Sequence, residues 1–124
     1  MEIRGQGAQR QPRDIFELIG RKEQIEKMAR AMRAIAHPLR LKILCVLGEH
    51  ELSVQDIVEA VGTSQSNVSQ HLAILREKRI LSTRKNANHV YYSVSDQRTL
   101  HLIATMREVL CGNPPRSRST RRSR

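Results

Sequence analysis

Two short helical patterns joined by a tight glycine turn restrict the fold of this chain more than any other feature. Residues 53–62 read SVQDIVEAVG, in which Ser53 is a plausible N-cap and Gly62 a plausible helix end. Residues 63–79 follow at once as TSQSNVSQHLAILREKR, with Ser64 as the N-cap and with Val and Leu side chains along one side. Together the two helices predict a helix-turn-helix.

The second helix of this pair carries a polar surface that is unusual for a solvent-exposed helix. Its N-terminal half consists of short hydroxyl and amide side chains, although Glu, Lys and Arg are better helix formers. Hydroxyl and amide groups can hydrogen-bond base edges and phosphates in a DNA major groove. The predicted DNA-binding residues on this helix are Ser64, Gln65, Ser66, Asn67, Ser69, Gln70 and His71.

Amphipathic helices flank this pair on both sides. Apolar residues recur at three- and four-residue steps over residues 14–36, which predicts one long helix. Residues 38–48, PLRLKILCVLG, predict a second helix that ends at Gly48. This second helix is apolar on two sides, so it should lie between two layers. A final helix is predicted to begin near Asp96 and to end at Cys111.

Two extended runs before the final helix predict a β-hairpin. Residues 80–84 and 90–94 contain β-branched and aromatic residues and surround the Asn-rich turn KNANH. Arg84 and Lys85 fall near the predicted tip, where they could contact a phosphate or the minor groove, and we predict both as DNA-binding residues. A helix-turn-helix followed by a hairpin predicts a mainly α fold with a β-hairpin wing, the winged helix-turn-helix.

The first and last predicted helices have apolar stripes without obvious partners. A chain of 124 residues is near the size at which a single core is only marginally stable. We therefore expect a homodimer formed through the N-terminal and C-terminal helices, with two recognition helices for one double-stranded operator of two-fold symmetry. The predicted winged-helix DNA-binding and dimerisation domain spans residues 14–112.

Positive charge is concentrated at the ends of the chain. The formal net charge is +10, but residues 14–113 hold only fourteen Lys and Arg against eleven Asp and Glu. Residues 1–13 are rich in Gly, Gln, Pro and Arg, and residues 113–124 are basic without an aliphatic residue, so we expect both to be disordered arms. The C-terminal tail is either a solubilising segment or a non-specific phosphate-binding arm.

Several classes of protein are disfavoured by the sequence. It contains neither a long apolar run nor a signal-peptide pattern, so we expect a cytoplasmic protein that does not bind membranes. It contains no Gly-rich phosphate loop, nucleophile motif or carboxylate dyad, so we expect neither an enzyme nor a cofactor. No two of the five histidines are three or four residues apart, so we predict no metal site.

Four segments of the chain together resemble a known family. AHPLRLKIL, ELSVQDIVEAVG, TSQSNVSQHLAILREKRIL and HVYYSVS occur in an order that resembles the ArsR/SmtB family of bacterial winged-helix repressors, over about residues 25–111. The resemblance implies a homodimer on operator DNA that is released when an inducer binds or reacts. The family's metal ligands are not reproduced, because Ser53 and Gln55 stand where the arsenic and cadmium sensors have cysteines and Asp96 alone remains of the zinc and nickel set.

The two cysteines carry the most specific functional prediction. One branch of this family has a cysteine in an I-L-C-x-L segment of the second helix and another near the end of the last helix, and ILCVL and EVLC reproduce both. Members of that branch respond to persulfide, polysulfide or other thiol oxidants through a link between the two sulfurs. The resemblance therefore implies a redox switch of Cys45 and Cys111, with reactive sulfur species as the inducer and sulfur metabolism genes as targets.

Two other functions remain open from the sequence. The chain could be a constitutive architectural DNA-binding protein that uses its basic arms, with Cys45 as a structural core residue, because free cysteine is commonly buried. It could also be a metal-responsive DNA-binding protein in which Cys45 and Cys111 bind a soft metal.

Overall fold

The computed structural model describes residue 17 and residues 21–112, and the chain divides into two units at the His37–Pro38 junction. The predicted arms, residues 1–13 and 113–124, lie outside the described part. Within that part, no helix is long and apolar enough to cross a membrane. The elements are α1 (Lys22–Ile35), α2 (Pro38–Leu47), β1 (Leu52–Ser53), α3 (Val54–Val61), α4 (Gln65–Glu77), β2 (Leu81–Asn86), β3 (His89–Val94) and α5 (Arg98–Cys111).

Helix α1 begins later than predicted. The spacing of apolar residues predicted one helix over residues 14–36, but the backbone of Arg21 is extended, with φ −68° and ψ 134°, and α1 starts at Lys22. Gly20 precedes Arg21 in the sequence, and glycine weakens a helix because it has the most backbone entropy to lose. The prediction of one uninterrupted helix is therefore wrong. Residues 14–16 and 18–20 of the predicted helix lie outside the described part.

Helix α2 forms the centre of the second unit. It begins at Pro38, as predicted, because the first turn of a helix needs no N–H from that residue. It ends before Gly48, which adopts the left-handed conformation with φ +52°. Ile43, Leu44 and Leu47 are fully buried, and α3, α4 and β3 all contact this helix.

Helices α3 and α4 form the predicted helix-turn-helix, with the predicted caps. Ser53 Oγ accepts the N–H of Asp56 at 3.2 Å, and Ser64 Oγ accepts the N–H of Asn67 at 3.1 Å. Gly62 lies between the two helices with φ +80°, a conformation that disfavours other residues and allows the tight turn. The buried side chains of the pair are Ile57, Val61, Val68, Leu72 and Leu75.

Strands β2 and β3 form the predicted hairpin, the wing, with a tighter turn than expected. Asn86 pairs with His89, so only Ala87 and Asn88 connect the strands. The KNANH segment was predicted as the turn, but most of it belongs to the strands. The fold prediction, mainly α with a β-hairpin wing, is confirmed.

A third strand that the sequence did not reveal joins the wing. The two residues of β1 make the sheet order β1-β3-β2, in which Leu52 pairs with Tyr92 and Ser53 with Tyr91. Two residues are too few to show an alternating pattern. Because Ser53 also caps α3, β1 connects the wing directly to the helix-turn-helix.

Helix α5 packs loosely on the rest of its unit. It begins at Arg98, two residues after the predicted start near Asp96, and Asp96 Oδ1 accepts the N–H of Arg98 at 3.0 Å. None of the α5 side chains, all of which the structure describes, is buried. An apolar helix surface therefore remains exposed in the single chain.

Leu72→Ala should lower the free energy of unfolding by about 2–5 kcal/mol, because it removes a buried side chain from the α4 side of the core. Gln70→Ala is the control, since its side chain is exposed on the same helix and its loss should change that free energy by less than about 0.5 kcal/mol. Urea denaturation followed by circular dichroism measures both. Equal losses for the two variants would contradict this core.

Candidate nucleic-acid interface and thiol groove

The N-terminal half of α4 presents its polar side outwards. Val68, Leu72 and Leu75 hold the opposite side of the helix in the core. Of the predicted DNA-binding residues on this helix, the exposed ones are Ser64, Gln65, Ser66, Ser69 and Gln70, and the partly buried ones are Asn67 and His71. The structure thus places all seven on the first two turns of α4 or at its cap.

Asn67 fixes the first turn of α4 to the turn that precedes it. Besides the backbone bond to Ser64, its Nδ2 donates to Thr63 Oγ1 at 3.3 Å. The sequence did not single out Thr63. Its position directly after the helix-ending Gly62 was the available signal, because such turn residues can bond to the next helix.

His71 joins α4 to α2. Arg40 Nη1 lies 3.0 Å from His71 Nδ1. Since a guanidinium can only donate, Nδ1 must accept, and the proton of the neutral ring is on Nε2. Lys42 Nζ donates to the carbonyl oxygen of Val61, the last residue of α3, at 3.2 Å. Helix α2 is therefore bonded to both helices of the helix-turn-helix through two cations that the sequence did not identify.

Arg84, predicted to contact DNA, is bound by a carboxylate. Its Nη2 donates to Glu51 Oε1 at 2.8 Å, and its Nε lies 3.0 and 3.1 Å from the two carboxylate oxygens. The guanidinium carbon also lies 5.0 Å from the centre of the Tyr91 ring. The side-chain hydrogen bonds between Arg84 and Glu51 lower the pKa of Glu51 and raise the pKa of Arg84.

Lys85, the second predicted DNA contact of the wing, has a different environment. It follows Arg84 on β2, pairs with Val90 and is exposed. Among the described residues, no hydrogen bond or ion pair involves its ammonium group. The two neighbouring cations of the wing are therefore not equivalent.

Cys45 and Cys111 line one groove between α2 and α5. The groove has a volume of about 290 Å³, and its other lining residues are Leu41, Ile103, Met106, Arg107 and Leu110. Both cysteines are free thiols, and both are exposed. Cys45 is therefore not a core residue of the single chain.

Metal-binding residues are not clustered in the described part of the chain. That part holds no group of three or more His, Cys, Asp or Glu side chains that could bind a metal ion. Asp96 is paired with Arg98, with Oδ2 and Nη2 2.7 Å apart, and the side-chain hydrogen bond from Arg98 lowers the pKa of Asp96 to about 2.

Comparison with known proteins identifies the family. Residues 37–83 match the model of the arsR family of bacterial regulatory proteins. The biofilm growth-associated repressor of Xylella fastidiosa (strain Temecula1) is 31% identical over 94 residues, which cover 73% of this chain and 82% of the repressor. The chain belongs to the arsR family.

Solved structures of other arsR-like proteins share the fold. HlyU from Vibrio cholerae N16961 matches with a TM-score of 0.66 at 35% identity, over 73% of this chain and 99% of HlyU. The homodimeric winged helix-turn-helix domain Mb0332 of Mycobacterium bovis matches with a TM-score of 0.63 at 27% identity, over 68% of this chain and 79% of that domain. These matches confirm the predicted winged helix.

The bond from Arg40 predicts the tautomer of His71. Long-range ¹H–¹⁵N spectra at neutral pH should show an unprotonated Nδ1 and a protonated Nε2. Arg40→Met should move these signals towards a mixture of tautomers, whereas Lys42→Met, which removes the bond to α3, should leave them unchanged. A protonated Nδ1 in the wild-type protein would contradict the assignment.

Proposed function

We propose that this protein is a homodimeric DNA-binding transcriptional repressor whose operator binding is switched by a sulfur link between Cys45 and Cys111. The observation that carries the proposal is that the two cysteines, from α2 and α5, line the same groove. The Xylella fastidiosa relative is a repressor, whereas HlyU of Vibrio cholerae is a transcriptional activator, so repression is part of the proposal. The proposed targets are genes of sulfur metabolism.

The polar side of α4 is the proposed reading surface. Its hydroxyl and amide groups match the donors and acceptors of base edges in a major groove, and its N-terminal residues would lie nearest to them. The bonds of Thr63 and Ser64 to Asn67 support this role, because they fix the first turn before DNA is bound.

A second copy of the chain is the proposed partner of the exposed apolar helices. On α5, Leu102 is 51% exposed, and Val109 and Leu110 are each 74% exposed. Ile25, Met28 and Met32 form a similar exposed stripe on α1, where they are 46–53% exposed. Contiguous apolar surface of this kind marks an interaction site. The homodimeric Mycobacterium bovis relative supports a dimer, and the exposed stripes of α1 and α5 are its proposed interface.

Inorganic polysulfide is the oxidant in the proposed reaction. One cysteine thiolate attacks a terminal sulfur of HSSSH, which forms a protein persulfide and releases HSS⁻. The second thiolate then attacks the inner sulfur of that persulfide and releases HS⁻. The two thiols lose two protons and two electrons, and one S–S bond joins Cys45 to Cys111. If the persulfide first attacks a terminal sulfur of a second HSSSH and releases HSS⁻, the second thiolate then attacks the middle sulfur, releases HS⁻ and gives a trisulfide link.

The link would act on DNA binding through α2 and α5. It would fix the distance between α5, a helix of the proposed dimer interface, and α2. Helix α2 is bonded to α4 through Arg40 and to α3 through Lys42. The two recognition helices of a dimer must match half-sites about 34–36 Å apart. A small shift of either helix therefore weakens operator binding.

Treatment with polysulfide should weaken operator binding of the wild-type protein by about 5–150-fold, the usual range of coupling between two sites. Cys45→Ser and Cys111→Ser should each bind the operator and fail to respond, because each leaves a single cysteine with no second cysteine in the chain to link to. Gel shifts and mass spectrometry of the linked cysteine peptides provide the measurements.

Other outcomes of this experiment identify the competing functions. A response that survives in either cysteine variant would refute the switch. Stoichiometric binding of a soft metal that needs both thiols would favour the metal-responsive protein. Equal affinity for unrelated DNA, together with a large loss on deletion of residues 114–124, would favour the constitutive binder.

Val109→Glu should weaken self-association, because it places a charge on the exposed apolar side of α5 without changing a residue of the groove. Ala104→Glu adds the same charge to the opposite side of α5 and should leave self-association unchanged. Sedimentation velocity over a range of protein concentrations compares the two. A monomeric wild-type protein would rule out the proposed dimer.

A further inference from the structure

The ion pair of Arg84 with Glu51 spans the whole wing sheet. Arg84 lies on β2, Tyr91 opposite it on the central strand β3, and Ser53 opposite Tyr91 on β1. Glu51 comes two residues before Ser53 in the chain, so it continues the same face of the sheet. The Arg84 side chain therefore crosses the Tyr91 ring and reaches a carboxylate at the far edge.

Successive residues of a strand point to opposite faces, which separates Arg84 from Lys85. Lys85 shares its face with Val90. A DNA backbone that runs along one face of the wing can therefore contact either Arg84 or Lys85, but not both. A phosphate that approached Arg84 would also approach the Glu51 carboxylate, and these like charges repel each other.

We propose that Glu51 and Arg84 are positioning residues that hold the wing against the helix-turn-helix in the free and the DNA-bound protein, and that Lys85 is the wing cation that contacts phosphate. Arg84 thus acts through the position of the wing, contrary to the direct DNA contact expected from the sequence. The link works because Glu51 precedes β1 and β1 leads directly into α3.

The charge of Glu51 sets the pH range of this pair. Its pKa is lowered from the ordinary 4.5 by the hydrogen bonds from Arg84. A lowered pKa in the folded state means that the pair stabilises the wing above about pH 4.5 and loses this effect as the pH falls through the lowered value. The pair is therefore intact at neutral pH.

The inference rests on the proposed operator binding, and salt dependence separates a positioning pair from a phosphate contact. Each phosphate contact adds about 0.9 to the slope of log affinity against log salt concentration. Binding is measured on a duplex that the wild-type protein selects from a random-sequence pool. The variants are Arg84→Gln, Glu51→Gln, the exchange of both charges (Glu51→Arg with Arg84→Glu) and Lys85→Gln, with Glu49→Gln as a control for loss of a nearby exposed carboxylate.

For a positioning pair, Arg84→Gln should weaken binding about two- to fivefold relative to the wild-type protein, without changing the slope. Glu51→Gln should weaken binding by a similar factor relative to Glu49→Gln, also without changing the slope. The exchanged pair should recover most of the affinity, and only Lys85→Gln should reduce the slope. A reduced slope for Arg84→Gln, tighter binding for Glu51→Gln than for Glu49→Gln, or no recovery in the exchanged pair would overturn the inference.

An NMR titration of the Glu51 carboxyl carbon tests the pair without DNA. The midpoint should lie below 4.5 in the wild-type protein and return towards 4.5 in Arg84→Gln. An unchanged midpoint would show that the pair does not form. A wild-type protein that selects no sequence from the pool, but shows the lowered midpoint, would instead reject the proposed function.

Discussion

Burial of one side of α2 is the constraint on which the rest of residues 38–112 depends. Ile43, Leu44 and Leu47 are fully buried, and both helices of the helix-turn-helix and the central strand of the wing pack on this helix. Close-packed interiors transmit small displacements, because they contain little free volume to absorb them. The exposed side of the same helix carries Cys45. A chemical change at the Cys45 thiol therefore acts on α2, which cannot move without displacing the helices and the strand that pack on it.

Neighbouring carboxylates determine which cations of this chain are available to contact a polyanion. The net charge of +10 suggests a polyanionic partner, yet Arg84 and Arg98 are bound by Glu51 and Asp96. Exposed ion pairs of this kind contribute little stability, but they determine the direction of the cation. Lys85 and the side chains of α4 are less constrained by such pairs. The number of cations is consequently a poor guide to which of them contact DNA.

The sequence predicted the parts of the fold that local chemistry controls. Ser53 and Ser64 as caps and Gly62 as a helix end follow from the hydrogen bonds and backbone conformations of a few neighbouring residues. The bonds that give the site its geometry join distant residues: Arg84 and Glu51 are 33 positions apart, and Arg40 and His71 are 31 apart. No local pattern contains such a pair. For the same reason, resemblance to a family suggested the two cysteines, but only the fold could place them along one groove.

The absence of buried side chains on α5 has a consequence for how the groove is maintained. A helix that contributes nothing to the core of its own unit owes much of its order to whatever covers it, and local unfolding concentrates in such elements. If a second copy covers α5, the ordered fraction of α5 rises with the fraction of protein that is dimeric. The concentration of the protein in the cell then affects its response to the inducer. A scarce protein would present Cys111 on a frayed helix while Cys45 stays on α2, whereas an abundant one would hold the two thiols in register.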